Sequence, residues 1–228
     1  MKIICAGYPK TGTKTCSTAL RQLGYKVADY LETTEYLSHI WLKYLEGNAS
    51  IEQVLEEYKK YGFDANQDGP GNFKWEELYR ASPSGTKVIL TIRDSEDQWW
   101  SSWCKFVEQE TRRGAIGDFS CHSLLQYLMK IGYFGPQWQN QIKAMIEAMK
   151  QQDFPPIFDG KFFISKHLKT ITNGEQRLKH NYRKHNSYVA SVVPKEDLLV
   201  WNVKVNILIL ISSLLLILRM DGNHFAIF

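Results

Sequence analysis

Residues 2–29 read KIICAGYPKTGTKTCSTALRQLGYKVAD, and the order of residue types in this stretch decides the fold. Ile3 to Ala6 is a short apolar run with β-branched residues, the pattern of a strand buried on both faces. A glycine-containing loop follows at once. After it Cys16, Ala19, Leu20 and Leu23 recur at helical spacing, and Gly24 stands where a helix ends on a glycine. Tyr25 to Asp29 reads as a second strand, so strand, helix and strand form a right-handed unit with parallel strands.

Working outward, Leu37, Ile40, Trp41 and Tyr44 share one helical face, and Ile51, Val54, Leu55 and Tyr58 share another. Ser50 can cap the second helix. Asp64 to Asn72, DANQDGPGN, is dense in turn formers and is expected to be a loop. KVILTI at 87–92 is a further buried strand ending at Arg93. Ser95 with Gln98 makes a capping-box pattern that starts a helix carrying Trp99, Trp100, Ser101 and Trp103. Helical spacing returns at Trp138, Ile142, Met145 and Met149. The pattern weakens between Phe154 and Asn173, where Pro155-Pro156 predicts an irregular connection. A basic helix over about 175–192 stops at Pro194, and 198–203 reads as a last strand. Strands alternating with helices predict an α/β fold of three layers, a mostly parallel sheet flanked by helices.

The chain has 228 residues, 44% of them apolar and 23% charged, which places it among globular proteins. Its net charge of +4 is carried by scattered Lys and Arg, so no nucleic-acid partner is expected. Cys5, Cys16, Cys104 and Cys121 show no metal-type spacing. Reduced thiols in a cytoplasmic compartment fit them best. Because Ile3 to Ala6 already reads as a core strand, no secretory signal is expected before it. Residues 1–204 form one domain on this reading, and 205–228 an apolar C-terminal tail. Its run VNILILISSLLLIL, over 205–218, is short of the ~20 residues of a spanning helix. Two readings stand: a buried or interfacial segment, or a tail anchor giving membrane association.

The chemistry-bearing signal is Gly7-Tyr8-Pro9-Lys10-Thr11-Gly12-Thr13-Lys14-Thr15, between a strand and a helix. There, successive backbone N–H groups and the helix N-terminus converge on one spot, suited to a phosphate or phosphosulfate. A Walker A loop places Lys directly after its second Gly. Here Thr13 intervenes, and another Lys sits earlier, at position 10. YPKTGT resembles the 5'-phosphosulfate loop of sulfotransferases. That family also pairs an Arg at the end of a later strand with a Ser eight residues on, and VILTIRDSEDQWWSS supplies Arg93 and Ser101 at that offset. The closest likeness is to short sulfotransferase-like proteins with a D-x-P loop, here Asp68 to Pro70, a later HN pair, His185 with Asn186, and LLVW, Leu198 to Trp201. The resemblance covers about 2–204 and stops at the tail. Two loop positions depart from it: Thr15 stands where many members place a Trp against adenine, and Lys14 replaces a common Thr.

The resemblance implies a P-loop-like nucleotide-binding fold and 3'-phosphoadenosine 5'-phosphosulfate as donor, leaving adenosine 3',5'-bisphosphate after transfer to a small-molecule acceptor. Pro9, Lys10, Thr11, Gly12, Thr13, Lys14 and Thr15 would hold the 5' end, and Arg93 with Ser101 the 3'-phosphate. Lys10 would stabilise the charge on the leaving oxygen. Asp68 is the preferred base for the acceptor proton, with Asp64 and His39 behind it; an aspartate before Gly-Pro is also an ordinary turn residue. The reaction needs no metal, and the six His residues form no pair at metal-ligand spacing with Cys or carboxylates. The alternatives are a P-loop NTPase or small-molecule kinase, or a diverged member that binds nucleotide without catalysis or is tethered by its tail. A kinase wants an acidic residue at a strand end for Mg²⁺. VILTIRD offers Arg93 before Asp94.

Overall fold

In the computed structural model, which describes residues 1–115, 135–153 and 174–202 with Lys204, Ile211, Ser212 and Leu215, a five-stranded parallel sheet organises the molecule. The strands are β1 (Ile3–Cys5), β2 (Val27–Ala28), β3 (Ala65–Asn66), β4 (Lys87–Ile92) and β5 (Leu198–Asn202), in the order β2-β3-β1-β4-β5. Side chains alternate across a strand. Ile3 and Cys5 of β1 therefore enter one apolar cluster, with Cys16, Ala19 and Leu20 of α1 (Thr13–Gln22), while Ile4 and Ala6 enter a second on the opposite face. Val88 and Leu90 of β4 follow Ile4, and Ile89 follows Ile3. Burial on both faces is why these strands read as unbroken apolar runs.

The expectation that Asp64 to Asn72 is all loop is corrected by β3. Ala65 pairs with Ile3 on one side and Val27 on the other, so this strand separates β1 from β2. Two residues are too short a run to show a period. What holds them is pairing on both edges and complete burial of Ala65.

After β2, a single turn (Tyr30–Glu32) capped by Asp29 passes through a π-helical turn (Thr33–Leu37) into α2 (Ser38–Leu45). Next comes α3 (Ile51–Lys60), where Ser50 Oγ accepts from Gln53 N–H and Gln53 Oε1 accepts from Ser50 N–H, so the expected Ser50 cap is a full capping box. Then follow α4 (Trp75–Ala81), α5 (Glu96–Ala115), α6 (Gly135–Gln151) and α7 (Gly174–Val192). Of the capping box expected at the start of α5, Ser95 Oγ accepts from Gln98 N–H at 3.2 Å, while the Gln98 side chain donates to Asp94 instead.

Ile211, within the apolar tail, packs against the cluster on the α1 face. The rest of the 205–228 reading, apart from Ser212 and Leu215, lies outside the described residues, as do Cys121 and the 154–173 connection. Among the described residues no helix is long and apolar enough to cross a membrane.

Candidate functional site

The loop after β1 runs flush against the end of β4. A Cβ on Gly7 would lie 1.9 Å from Thr91 Oγ1 and 2.8 Å from the Thr91 carbonyl, so only glycine fits. The fully buried Thr11 hydroxyl closes the turn, donating to Tyr8 O at 2.5 Å and lying 2.6 Å from Thr91 Oγ1.

Five successive carbonyls of this segment each accept from a side chain. Ala6 O is 2.7 Å from His185 Nε2, Gly7 O 3.1 Å from Asn72 Nδ2, and Tyr8 O takes the Thr11 hydroxyl. Pro9 O accepts from the Trp99 indole at 3.0 Å and Lys10 O from Arg93 Nε at 2.8 Å. Since C=O and N–H of a trans peptide point in opposite directions, pinning these carbonyls turns the N–H groups of Gly7, Tyr8, Lys10 and Thr11 away from those donors, while the Tyr8–Pro9 peptide has no N–H to turn. Helix α1 continues the arrangement. Its N-cap, Gly12 at φ 101°, offers no side chain, and the first ladder bond runs from Cys16 N–H to Gly12 O. The N–H groups of Thr13, Lys14 and Thr15 stay outside the ladder, at the positive end of the helix dipole.

Arg93 meets the same loop from β4. Its backbone N–H donates to Tyr182 Oη at 2.9 Å, and the Tyr182 ring stacks on Trp99 at 4.7 Å. Beside the Nε bond to Lys10 O, Nη2 is 3.5 Å from Ser102 Oγ, while Ser101 is exposed on α5. Lys10, at φ 71°, sets its ammonium 4.5 Å over the Phe106 ring. Pro9, Lys10, Gly12 and Thr15 are half-buried, Thr13 is buried and Lys14 exposed.

An acidic side faces this basic one. Asp29, buried at the end of β2, accepts from Ser17 Oγ at 2.9 Å and pairs with Lys14 Nζ at 2.9 Å. Asp68, also at φ 71°, accepts from Gly69 N–H at 2.9 Å. Its loop lies under α6, with Gln141 Nε2 donating to Gly69 O at 3.0 Å and Met145 Sδ filling the space where a Gly69 Cβ would go. Desolvation by the surrounding protein raises the Asp68 pKa, although the side chain keeps a solvent-accessible edge. The Gly69 N–H opposes that rise, the Asp29 charge adds to it, and Lys14 and Lys10 counter it. The loop lysines and Asp68 thus share one electrostatic neighbourhood.

The two runner-up bases fall elsewhere. Asp64 precedes β3, its carbonyl accepting from Lys2 and Ile3 at the amino edge of the sheet, opposite the loop. His39 sits on α2, 4.0 Å from Glu57 of α3. Sequence reasoning missed Asn72, Ser102 and Asp29 as parts of this site, and gave Trp99 and His185 no contact with the loop. Asp29 had a local signal, the Asp29-x-x-Glu32 cap following a strand, and Ser102 lies nine positions from Arg93; Asn72, Trp99 and His185 act through contacts distant in the chain.

Residues 2–206 match the sequence family described as Sulfotransferase domain. The chain belongs to the sulfotransferase family. No curated protein matches it significantly. Family membership points to sulfuryl transfer as the class of chemistry, and to a small-molecule acceptor. The fold expected from the sulfotransferase likeness, a parallel sheet between helices, is the fold observed. Among the described residues, no group of three or more His, Cys, Asp or Glu gathers as metal ligands would.

Proposed function

We propose that residues 1–204 form one catalytic unit that moves a sulfuryl group from 3'-phosphoadenosine 5'-phosphosulfate to a hydroxyl or amine of a small acceptor. The observation that carries this reading is the 2.8 Å bond from Arg93 Nε to the Lys10 carbonyl. It joins the loop that leads into the N-terminus of α1 to a guanidinium within the span of one nucleotide, and a ligand with anionic groups at both ends of a ribose matches that pair.

When bound, the donor supplies the group that moves: sulfur bonds to the acceptor atom as its bond to the 5'-phosphate oxygen breaks, the electron pair leaving on phosphate. The amides of Thr11 to Thr15 hold that phosphate. Lys10 places its ammonium against the oxygen that gains charge. Arg93 and Ser101 hold the 3'-phosphate, with Ser102 steadying the guanidinium. Asp68 takes the acceptor proton, and its raised pKa makes it a stronger base than an ordinary aspartate. A kinase reading would want a strand-end acid for Mg²⁺. Asp94 is instead engaged with Lys204, Asn202 and Gln98, which hold its carboxyl below the usual range.

Isothermal titration with adenosine 3',5'-bisphosphate, and separately with ATP plus Mg²⁺, tests the reading. Preference for the bisphosphate is expected, and preference for ATP would overturn it. Lys10→Ala should lower sulfuryl release from the donor by roughly 10²–10³-fold, the scale of one lost donor to developing charge, while leaving the fold intact.

A further inference from the structure

We infer that Trp99 is a positioning residue for Lys10. The inference rests on the catalytic reading of Lys10 above. The φ and ψ of a residue are the relative orientations of the two peptide planes that flank its Cα. The plane before Lys10 contains the Pro9 carbonyl, and the plane after it contains the Lys10 carbonyl. Trp99 Nε1 donates to the first at 3.0 Å and Arg93 Nε to the second at 2.8 Å. Both planes are pinned from one side, by residues six apart on the β4–α5 segment.

This pinning has something to oppose. Lys10 has a Cβ yet sits at φ 71°, a region that L-residues adopt at a cost and that persists only where the surroundings over-determine it. Because the direction of the Cα–Cβ bond follows from φ and ψ, the two bonds also aim the Lys10 side chain. Trp99 itself is held firmly. It is fully buried, and stacks on Tyr182 at an interplanar angle of 7° and on Trp103 at 18°. Tyr182 in turn holds the Arg93 backbone N–H, so one stack fixes both clamps.

The test removes the indole N–H and keeps the ring. Trp99→Phe is the simple variant; benzothienylalanine at position 99, with the shape of tryptophan and sulfur in place of N–H, serves if Phe does not fold. The readouts are release of labelled sulfate from 3'-phosphoadenosine 5'-phosphosulfate into water and a mixture of simple phenols and primary amines, affinity for adenosine 3',5'-bisphosphate, and thermal midpoint. Loss of the N–H should slow release about five- to twentyfold, the effect of one buried hydrogen bond left unmade, with affinity for the bisphosphate changed less than about twofold. Unaltered release in the position-99 variants would overturn the inference, as would parallel loss of release, affinity and thermal midpoint, the mark of a purely structural role. If the wild type binds the bisphosphate but releases no sulfate, the donor-binding reading stands, while the catalytic role of Lys10 and the inference built on it fall. If it does not bind the bisphosphate, the functional reading falls first and takes the inference with it.

Discussion

Lys10 and Asp68 are non-glycine residues that share a backbone angle of φ 71°, and the Lys10 charge acts on the Asp68 carboxyl. Strain of this kind collects where a chain is shaped for binding or catalysis, at about 1–3 kcal/mol for each such residue. Asp68 makes a pH prediction. Its carboxyl titrates above the ordinary aspartate value of 3.8, chiefly through desolvation. A base must be unprotonated to act, so sulfuryl transfer should fall as pH drops through a midpoint higher than 3.8. A pH–rate profile checks this, and Asp68→Asn should lose both the rate and that acid limb; a variant that keeps the limb would move the base elsewhere. Lys10 and Arg93 were legible in the sequence because each belongs to a short motif at a strand end. Asn72, Trp99 and His185 were not, since they reach the loop carbonyls across 65, 90 and 179 positions of sequence. No local pattern encodes a donor that arrives from so far away.

Elements were legible in proportion to the periodicity they carry. α3 shows apolar residues at helical spacing behind a serine, and the expected Ser50 cap forms, as a capping box with Gln53. Ser50→Ala should therefore cost about 1 kcal/mol, read as a lower urea midpoint with an unchanged slope. A loss near zero would mean that the cap adds nothing beyond the packing of Val54 and Tyr58. β3 shows the opposite case. Asn66 and Gln67 are polar in type and buried in fact, and the strand exists because β1 and β2 pair with it on both edges. Tertiary pairing overrode local propensity there. The same strand carries the chain to Asp68, so the element hardest to read is the one that delivers the proposed base to the site.

At the scale of the whole molecule, one residue links late chain to early chain and makes stability depend on pH. His185 of α7 sends Nε2 to the Ala6 carbonyl at the end of β1 and stacks its ring on Tyr8 at 4.1 Å. Burial lowers its pKa from 6.5 to about 4, with the Ala6 bond only partly opposing. Between those values the unfolded chain binds a proton that the native protein excludes. The native state is therefore fully favoured above pH 6.5 and loses stability as pH falls toward 4, by up to about 3 kcal/mol from this one group. His185→Gln keeps an N–H for the Ala6 carbonyl and cannot titrate. Urea midpoints at pH 7 and pH 4.5 should separate widely in the wild type and much less in the variant, because only the wild type carries the histidine term. Equal separations would show that His185 is protonated in the folded protein, and the Tyr8–His185 stack would then hold a cation against the base of the loop.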